Sequence, residues 1–542
     1  HAEPIENRSF RMRCPYPERI LICSNYYPPN FVGGAELIAH RQATEMLRQG
    51  KKVLIFAGEH SDRPRYSVRA DRHEDVDIIR ISLAAEDYDS NYVNFQHHEV
   101  DALFEATLEQ FQPDVVHFHN LTGLSVGMIQ IAKGRNIRTA ITLHDHWGFC
   151  YRNTIINYRS EVCQDYNRCA ECMSTIPDGN RNIPIRMRHD YLMWRFQGVD
   201  AFISPSEYLA KTYVEAGFPI EKMFVLWNGI DIARFAAIQK SHGEGRIRFT
   251  YVGHLGAHKG VGLILEAAAL LGARDRITIN IIGRGAEESN LKRQAAQLGL
   301  TSSTRFWGRV ETSHITEVFQ ETDVLILPSI WPENQPVSIT EAMASRTPVI
   351  ASRSGGVPEL VIGGETGFLF QSGSAQDLSE KMRIFLDQPW KIADMGARGF
   401  QRLRDKTFEN QVKKLFRLYS LNPISVRDEE PLVVCTSPVS AESTRALELL
   451  EWSAWSNRVQ FVMNDWITDE EFSKARLVWI MGDLSDDCAE RRIAQFQLPV
   501  LAVGSNASAA SLPSRTRICR DASSLTDALA MLLSDSNGRS RL

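Results

Sequence analysis

Residues 324–342 read VLILPSIWPENQPVSITEA. Val324–Leu327 is a short, wholly apolar run of the kind that forms a strand buried on both faces. A turn-rich loop follows, and from Pro336 the pattern becomes helical; proline suits the first turn of a helix, where its missing N–H is not needed. The first amides of such a helix have no acceptor within it. With the positive end of the helix dipole, they aim at an anion beyond the carboxyl end of the strand. Two carboxylates with the spacing E-x7-E bracket this junction. Glu333 lies in the loop; Glu341 lies two turns into the helix among apolar neighbours (ITEAMA), where an idle carboxylate is not expected. Strand, loop and helix in this order are the unit of a doubly wound parallel sheet, which binds ligands at the carboxyl ends of its strands.

The same alternation extends to both sides. Ile247–Val252 (IRFTYV), Ile277–Ile282 (ITINII) and Pro348–Ala351 (PVIA) are further strands separated by helical segments, so residues 246–387 form one Rossmann-like domain. Arg19–Ser24, Lys52–Ala57, Asp114–His119, Thr139–Leu143 and Val199–Ser204 repeat the pattern, with a helix from Ala35 to about Gln49. They define a second such domain over residues 1–235. The charged, weakly patterned stretch Phe235–Arg246 is read as the linker, and residues 388–421 as two closing helices. Residues 430–542 read as a small accessory α/β domain in its own right, with strands at Pro431–Cys435, Arg476–Met481 and Pro499–Val503. The fold class is therefore α/β, with two doubly wound domains facing a cleft.

Bulk properties set limits. A chain of 542 residues exceeds one core, and three domains is the natural division at ~100–200 residues each. A net charge of -5 gives no nucleic-acid footprint, so no nucleic-acid partner is expected. No apolar run reaches the ~18 residues that span a bilayer. The polar N-terminus reads as no secretory signal. It begins at His1 rather than Met, as a piece of a longer protein or a tag remnant would. Nine cysteines are too few for a disulfide scaffold, and Cys23, Cys435 and Cys519 read as buried small hydrophobes. A cytoplasmic location is expected.

Three glycine-rich loops follow strands. Gly33-Gly34-Ala35-Glu36 opens a helix after the first strand, where backbone and helix N-terminus can approach a phosphate or sugar. Val252–Gly260 (VGHLGAHKG) carries Lys259, a mobile point charge suited to a diphosphate; its spacing is not that of a Walker A loop. Ile282-Gly283-Arg284-Gly285 ends a strand in a tight turn. Singly, each is as compatible with an ordinary turn or a solvated lysine.

In series they are specific. The GG loop, Thr142-Leu143-His144-Asp145, Ser204-Pro205-Ser206, Asn228-Gly229-Ile230-Asp231, VGHLGAHKG, E-x7-E and Ser354-Gly355-Gly356-Val357-Pro358-Glu359 occur in this order. The chain resembles, over about residues 18–421, the large family-four group of retaining glycosyltransferases (glycosyl transferases group 1), which have the GT-B fold. The resemblance implies a nucleotide-diphosphate sugar donor and a glycan or lipid-linked acceptor, in bacterial surface polysaccharide synthesis. It implies His144 and Glu333 as the groups at the transferring sugar. Gly33 and Gly34 contact the donor from the first domain, Lys259 holds the diphosphate, and Gly283 and Arg284 border the nucleotide. The helix start Pro336-Val337-Ser338 faces the phosphates and Glu341 the ribose. His254 stands where the family usually has Arg; an imidazole with a reference pKa of ~6.5 supplies less charge, and Arg284 or Arg309 could compensate.

The chemistry implied is transfer with retention. An oxocarbenium-like state forms while charge builds on the diphosphate, met by cations and helix amides, so no cofactor or catalytic metal is required. Asp75-Val-Asp77 and Asp87-Tyr-Asp89 read as surface charge. Competing readings are a GT-B-fold nucleotide-sugar epimerase and a catalytically degenerate binding module.

Two features lie outside the series. Cys150, Cys163, Cys169 and Cys172 share the spacing C-x12-C-x5-C-x2-C, in which Cys169-x2-Cys172 is a zinc half-site. A structural zinc, free thiols and disulfides all remain open. Arg181, Arg186, Arg188 and Arg195 are interleaved with apolar and aromatic residues from Ile183 to Phe196. This suits a core helix with a charged flank. It also suits an anionic membrane surface or a lipid-diphosphate acceptor, which would bring the protein to the inner face of a membrane.

Overall fold

The apolar runs become the central strands of three sheets. The computed structural model describes residues 16–421, apart from positions 32, 167, 180 and 241–244. Beyond 421 it describes segments 432–435, 460–475, 477–480, 500–503 and 516–519 and positions 492 and 495. The first sheet contains β1 (Arg19–Ser24), β2 (Lys52–His60), β3 (Val68–His73), β4 (Val76–Leu83), β5 (Val115–Phe118), β6 (Arg138–Thr142), β9 (Ala201–Ser204) and β10 (Met223–Val225). Its order is β10-β9-β6-β5-β1-β2-β4-β3, parallel except for the edge strand β3. Strands β7 (Thr175–Asp178) and β8 (Arg181–Pro184) form a separate hairpin.

The second sheet contains β11 (Ile247–Val252), β12 (Ile277–Ile282), β13 (Thr304–Gly308), β14 (Val324–Leu327), β15 (Val349–Ser352) and β16 (Gly367–Phe370). Its order is β13-β12-β11-β14-β15-β16, all parallel. The third contains β17 (Leu432–Cys435), β18 (Gln460–Met463), β19 (Leu477–Ile480), β20 (Val500–Val503) and β21 (Thr516–Cys519), in the order β18-β17-β19-β20-β21. No described helix is long and apolar enough to cross a membrane.

The domain division read from sequence needs two corrections. The closing helices do not form a unit. Trp390–Leu403 stays with the second domain, its Met395 and Leu403 in that core. Phe408–Tyr419, started by Thr407 as N-cap, crosses back to the first domain. There Val412, Leu415 and Phe416 pack with Ile20, Ile22 and Ala39. An amphipathic helix must bury its apolar stripe somewhere, and helix Gly34–Arg48 together with β6 supplies the surface.

The segment after residue 430 does not stand apart either. Val433, Phe461, Trp466 and Trp479 belong to one continuous core with Phe95, Tyr191 and Leu192 of the first domain. The Trp466 ring lies 5.3 Å from Phe95 and 5.1 Å from Tyr191, centre to centre. The helix Ile185–Phe196 forms the first domain's side of this seam. Asp190 accepts the Phe461 N–H at 3.0 Å and the Arg186 Nε at 2.6 Å. Arg195 pairs with Glu471 and donates to the Trp466 carbonyl at 3.1 Å; Arg181 meets Asp465 at 2.7 Å. Thus Arg186, Arg188 and Arg195 are buried rather than presented to a membrane or an acceptor. Buried guanidinium groups need acceptors: Asp190 of the same helix serves Arg186, Glu471 and the Trp466 carbonyl serve Arg195, and the Trp147 carbonyl serves Arg188.

Two smaller expectations also change. Asp87 is not surface charge: it is buried, accepts the Ala84 N–H at 2.7 Å and pairs with Arg65, whereas Asp75 and Asp77 are exposed. Cys23 and Cys435 are buried as expected, while the Cys519 side chain lies outside the described residues.

Because Trp466 fills the seam, Trp466→Ala should cost about 3–5 kcal/mol, as truncation of a buried aromatic usually does. A chain ending near residue 425 should aggregate, since it bares Phe95 and Tyr191. Denaturant unfolding and size-exclusion chromatography check both; an unchanged unfolding midpoint for the point variant would show that the seam carries no stability.

Candidate active site

Each of the first two sheets reverses its winding at its centre. β1 lies between β2 and β5, and β11 between β12 and β14. At such a switch point the loops leaving the central strands diverge and open a crevice. The motif loops flank these points: the GG loop follows β1, VGHLGAHKG follows β11, and PSIWPENQP follows β14.

Glu333 is the most heavily constrained group. Its Oε1 lies 2.6 Å from Lys259 Nζ and accepts from Ser329 Oγ at 2.6 Å and Trp331 Nε1 at 3.0 Å. Burial acts to raise its carboxyl, but Lys259 and these donors outweigh burial and hold it below the usual range. Lys259 also rests over the Trp331 ring at 4.6 Å, a cation–π contact that keeps the ammonium in the cleft. The loop is seated by the Ser354-Gly355-Gly356 turn, whose Gly356 N–H donates to the Glu333 carbonyl at 2.7 Å. A Cβ on Gly355 would stand 2.1 Å from that carbonyl oxygen, and one on Gly356 2.2 Å from the Asn334 oxygen, so neither position can carry a side chain.

The next residue crosses the cleft. Asn334 Nδ2 donates to the carbonyl of His144 at 2.7 Å. His144 follows β6, and its Nε2 lies 2.9 Å from His119 Nδ1, with the two rings stacked. Burial pushes His144 down to about 4 and His119 well below its ordinary value, so both rings are neutral at pH 7. Among the described residues, His119 Nε2 is buried without a partner. A lone pair is easier to leave there than an N–H, which favours His119 Nδ1–H donating to His144 Nε2 and leaves the His144 proton on Nδ1. Beneath them His117 bonds Thr142 at 2.8 Å and Tyr419 of the returning helix at 2.6 Å. Asp145 accepts the Trp147 N–H at 2.8 Å; burial raises its carboxyl to about 6, and nearby Glu36 adds to the shift.

The remaining expected residues fall in two groups. A Cβ on Gly34 would meet Val337 Cγ2 at 3.2 Å, so the GG loop touches the start of helix Val337–Ala344; Gly33 faces open space, with its N–H on Glu36 at 2.9 Å. Pro336, Val337 and Ser338 therefore border the cleft together with Gly34, Glu333 and His144. Glu341, in the same helix, makes no hydrogen bond through its carboxylate among the described residues. Burial raises it to about 7 against the pull of Arg234 and Arg41. His254 and Arg284 lie on neighbouring turns at the rim, joined by Leu255 N–H to the Arg284 carbonyl at 2.9 Å, and both are exposed. Arg309 is exposed beside Glu311 at 3.9 Å.

His117, His119 and Asn334 were missed in the sequence reading. The signal for the first two was available: two histidines two positions apart in DVVHFH share a face of a strand otherwise wholly apolar. Nothing in the sequence marked Asn334, whose partner lies 190 positions away. The four cysteines line one small cavity, and no disulfide joins them.

A family model described as Glycosyltransferase Family 4 matches residues 32–234, and one described as Glycosyl transferases group 1 matches 234–402. Together they run through both doubly wound domains, and the chain belongs to the glycosyl transferases group 1, with the GT-B fold. Among curated relatives, the glycogen synthase of Mycobacterium tuberculosis is 25% identical over 386 residues, 68% of this chain and 86% of that protein. The amylovoran biosynthesis glycosyltransferase AmsK of Erwinia amylovora is 31% identical over 172 residues, 31% of this chain and 42% of that protein. Among solved structures, Anabaena Alr3699/HepE in complex with UDP superposes with a TM-score of 0.54 at 19% identity, covering 74% of this chain and 99% of that one.

The raised carboxyl of Glu341 has a stability consequence. A carboxyl whose folded value lies above the unfolded ~4.3 stabilises the fold when protonated; that contribution is complete below ~4.3 and is lost as pH rises through about 7. Glu341→Gln should therefore unfold like the parent at pH 4 and be more stable at pH 8, by up to about 4 kcal/mol. Equal stability of the two proteins at pH 8 in denaturant titration would refute the assignment.

Proposed function

We propose that the protein is a retaining, metal-independent glycosyltransferase that moves a hexose from a nucleoside-diphosphate sugar to a glycan or lipid-linked acceptor in bacterial surface polysaccharide assembly. The observation that carries this reading is the Glu333 loop: an ionised carboxylate held by Lys259 and set beside neutral His144 by Asn334. The relatives' named roles in glycogen, amylovoran and UDP chemistry support the same class. With a lipid-linked acceptor, the reaction runs at the cytoplasmic face of a membrane.

In this scheme the bond between the sugar's anomeric carbon and the diphosphate oxygen breaks as the acceptor oxygen bonds to the same face. The acceptor's proton passes to the departing phosphate. Charge growing on that phosphate is met by Lys259 and by the amides at Val337 and Ser338, groups fixed before the reaction begins. Glu333 accepts hydrogen bonds from the sugar's hydroxyls and shares Lys259 with the diphosphate. His144, uncharged, orients the sugar from the first domain through Nδ1–H. Glu341 accepts the two ribose hydroxyls, for which it must be ionised.

UDP is the first nucleotide to test. Its affinity should rise roughly tenfold per pH unit up to about 7 and level off above, as the Glu341 proton is lost before binding; in Glu341→Gln the profile should be flat. Lys259→Ala should lower transfer by about 100- to 1000-fold, the usual effect of losing one charge-stabilising donor. Turnover should survive EDTA. Donor incubations read by NMR and calorimetry decide: transfer or slow hydrolysis with an α-linked product from an α-linked donor upholds the scheme. An inverted product, an epimerised donor, or activity abolished by EDTA and restored by magnesium would overturn it.

A further inference from the structure

The segment between His144 and the helix Ile185–Phe196 carries little regular structure: the hairpin β7–β8 and a single turn at Cys169–Glu171. Its Phe149, Tyr151, Ile155 and Ile176 are buried in the first domain's core, while the turns between Ile155 and Ile176 have few backbone bonds to fix them. Four of the residues it contributes to one cavity are Cys150, Cys163, Cys169 and Cys172. That cavity has a volume of about 30 Å³, room for one water-sized species. None of the four is joined in a disulfide; Cys163 Sγ points to the Asp165 carbonyl at 3.3 Å and Cys169 Sγ to the Tyr166 carbonyl at 3.5 Å.

Local backbone bonds fix where each sulfur starts from. Cys150 N–H donates to the His146 carbonyl at 2.8 Å and Cys163 N–H to the Ile155 carbonyl at 2.7 Å. The turn from Cys169 to Cys172 closes by Cys172 N–H to the Cys169 carbonyl at 3.0 Å, which puts both ends of the C-x2-C pair on the cavity wall.

The surrounding charge is the second, independent observation. Arg188 is 3% exposed, yet no carboxylate among the described residues comes within ion-pair distance of it. It donates to the Trp147 carbonyl at 2.8 Å and lies over the rings of Trp147 and Phe95. Burial works most strongly against its charge, and the ionisable groups near it include Cys150 and Cys169 of the cavity wall as well as Tyr213 and Asp145. A buried guanidinium without a counter-ion is costly. A zinc ion held by four thiolates carries a net charge of two minus, which Arg188 and the cavity-wall residue Arg152 would offset.

We propose that Cys150, Cys163, Cys169 and Cys172 form a four-thiolate structural zinc site. Among the described residues only His40, His73 and Glu74 bring three ligand atoms within 4.8 Å of one another, so no three of the cysteine sulfurs stand that close before an ion binds. The site therefore closes by side-chain rotation as the ion enters, to Zn–S distances of about 2.3 Å. Each thiol releases one proton to solvent as its sulfur binds, and no redox change occurs. The zinc is structural rather than catalytic. It ties the segment to the turn at His146 and, through the Tyr151 hydroxyl on the Cys172 carbonyl at 3.2 Å, stiffens the wall beside His144.

The test uses the full chain, purified in reducing buffer and loaded with zinc, then dialysed against buffer. One tightly held zinc per chain is expected by elemental analysis. Replacement with cobalt should give the intense visible bands and near-ultraviolet sulfur-to-metal charge transfer of tetrahedral thiolate coordination. Cys169→Ser/Cys172→Ser should lose both, and Cys23→Ser, on a buried strand outside the cavity, should keep them. If the double variant fails to fold, the cobalt spectrum of the parent still decides. Zinc well below one per chain after loading, a cobalt spectrum without thiolate transitions, or a disulfide among the four in peptide mapping would overturn the proposal.

Discussion

The hydrogen bond from Asn334 Nδ2 to the His144 carbonyl is where two separately folded sheets become one site. Each sheet delivers half of the candidate site. The second supplies Lys259, Glu333 and the amides of helix Val337–Ala344; the first supplies the GG loop and the stacked histidines. Neither half has a use without the other within bonding reach. The Glu333 loop makes that reach possible because it is held from behind by a glycine turn with no room for side chains. Positioning, rather than any reactive side chain, is what this arrangement provides.

Its electrostatics follow from where water is excluded. Buried charges survive only with partners, and Glu333 keeps its charge because Lys259 and two further donors meet it. The histidines have no such partner and discharge instead. Glu341 lies between these extremes, with only distant arginines to hold its charge, and so titrates near neutrality. A group left unpaired in a cleft wall weakens the fold and is available to a ligand; this trade is the usual mark of a binding residue rather than a structural one.

How much of this could be read from the amino-acid sequence depended on whether the signal was local. β11, β12 and β14 are unbroken apolar runs and were legible with their boundaries, because strands buried on both faces leave no alternative pattern. The hairpin β3–β4 was not. VRADRH is an edge strand whose Arg69 and Asp71 lie on the half-buried face, paired with Glu59 and Arg80, while Val68 and Ala70 face outward, so no apolar-inward alternation marks it. The motif loops leave strand ends, and in the structure they bring Gly34 against Val337 and Lys259 against Glu333. The destination of helix Phe408–Tyr419 was hidden, because its amphipathic pattern states that one face is buried but not against what. The arginine-rich helix misled for the same reason: its charges pair with the third sheet, residues hundreds of positions away in sequence.

The two seams of the first domain differ in kind. Toward the third sheet the seam is apolar, and Phe461, Trp466 and Trp479 merge into the first domain's core. Toward the second domain no buried apolar cluster crosses among the described residues; the core of that domain closes on itself from Ile230 to Leu403. What crosses instead is polar. Glu359 accepts the Glu207 and Tyr208 amides at 2.9 and 2.8 Å, Gln335 accepts the Asn228 amide at 2.7 Å, and Asn334 reaches His144. Water can replace such bonds with little net loss, whereas it cannot replace merged apolar surface. The third sheet and the first domain therefore behave as one body. The second domain is the part free to part from it, which is what a cleft needs if its innermost groups are to admit a donor and then close on it.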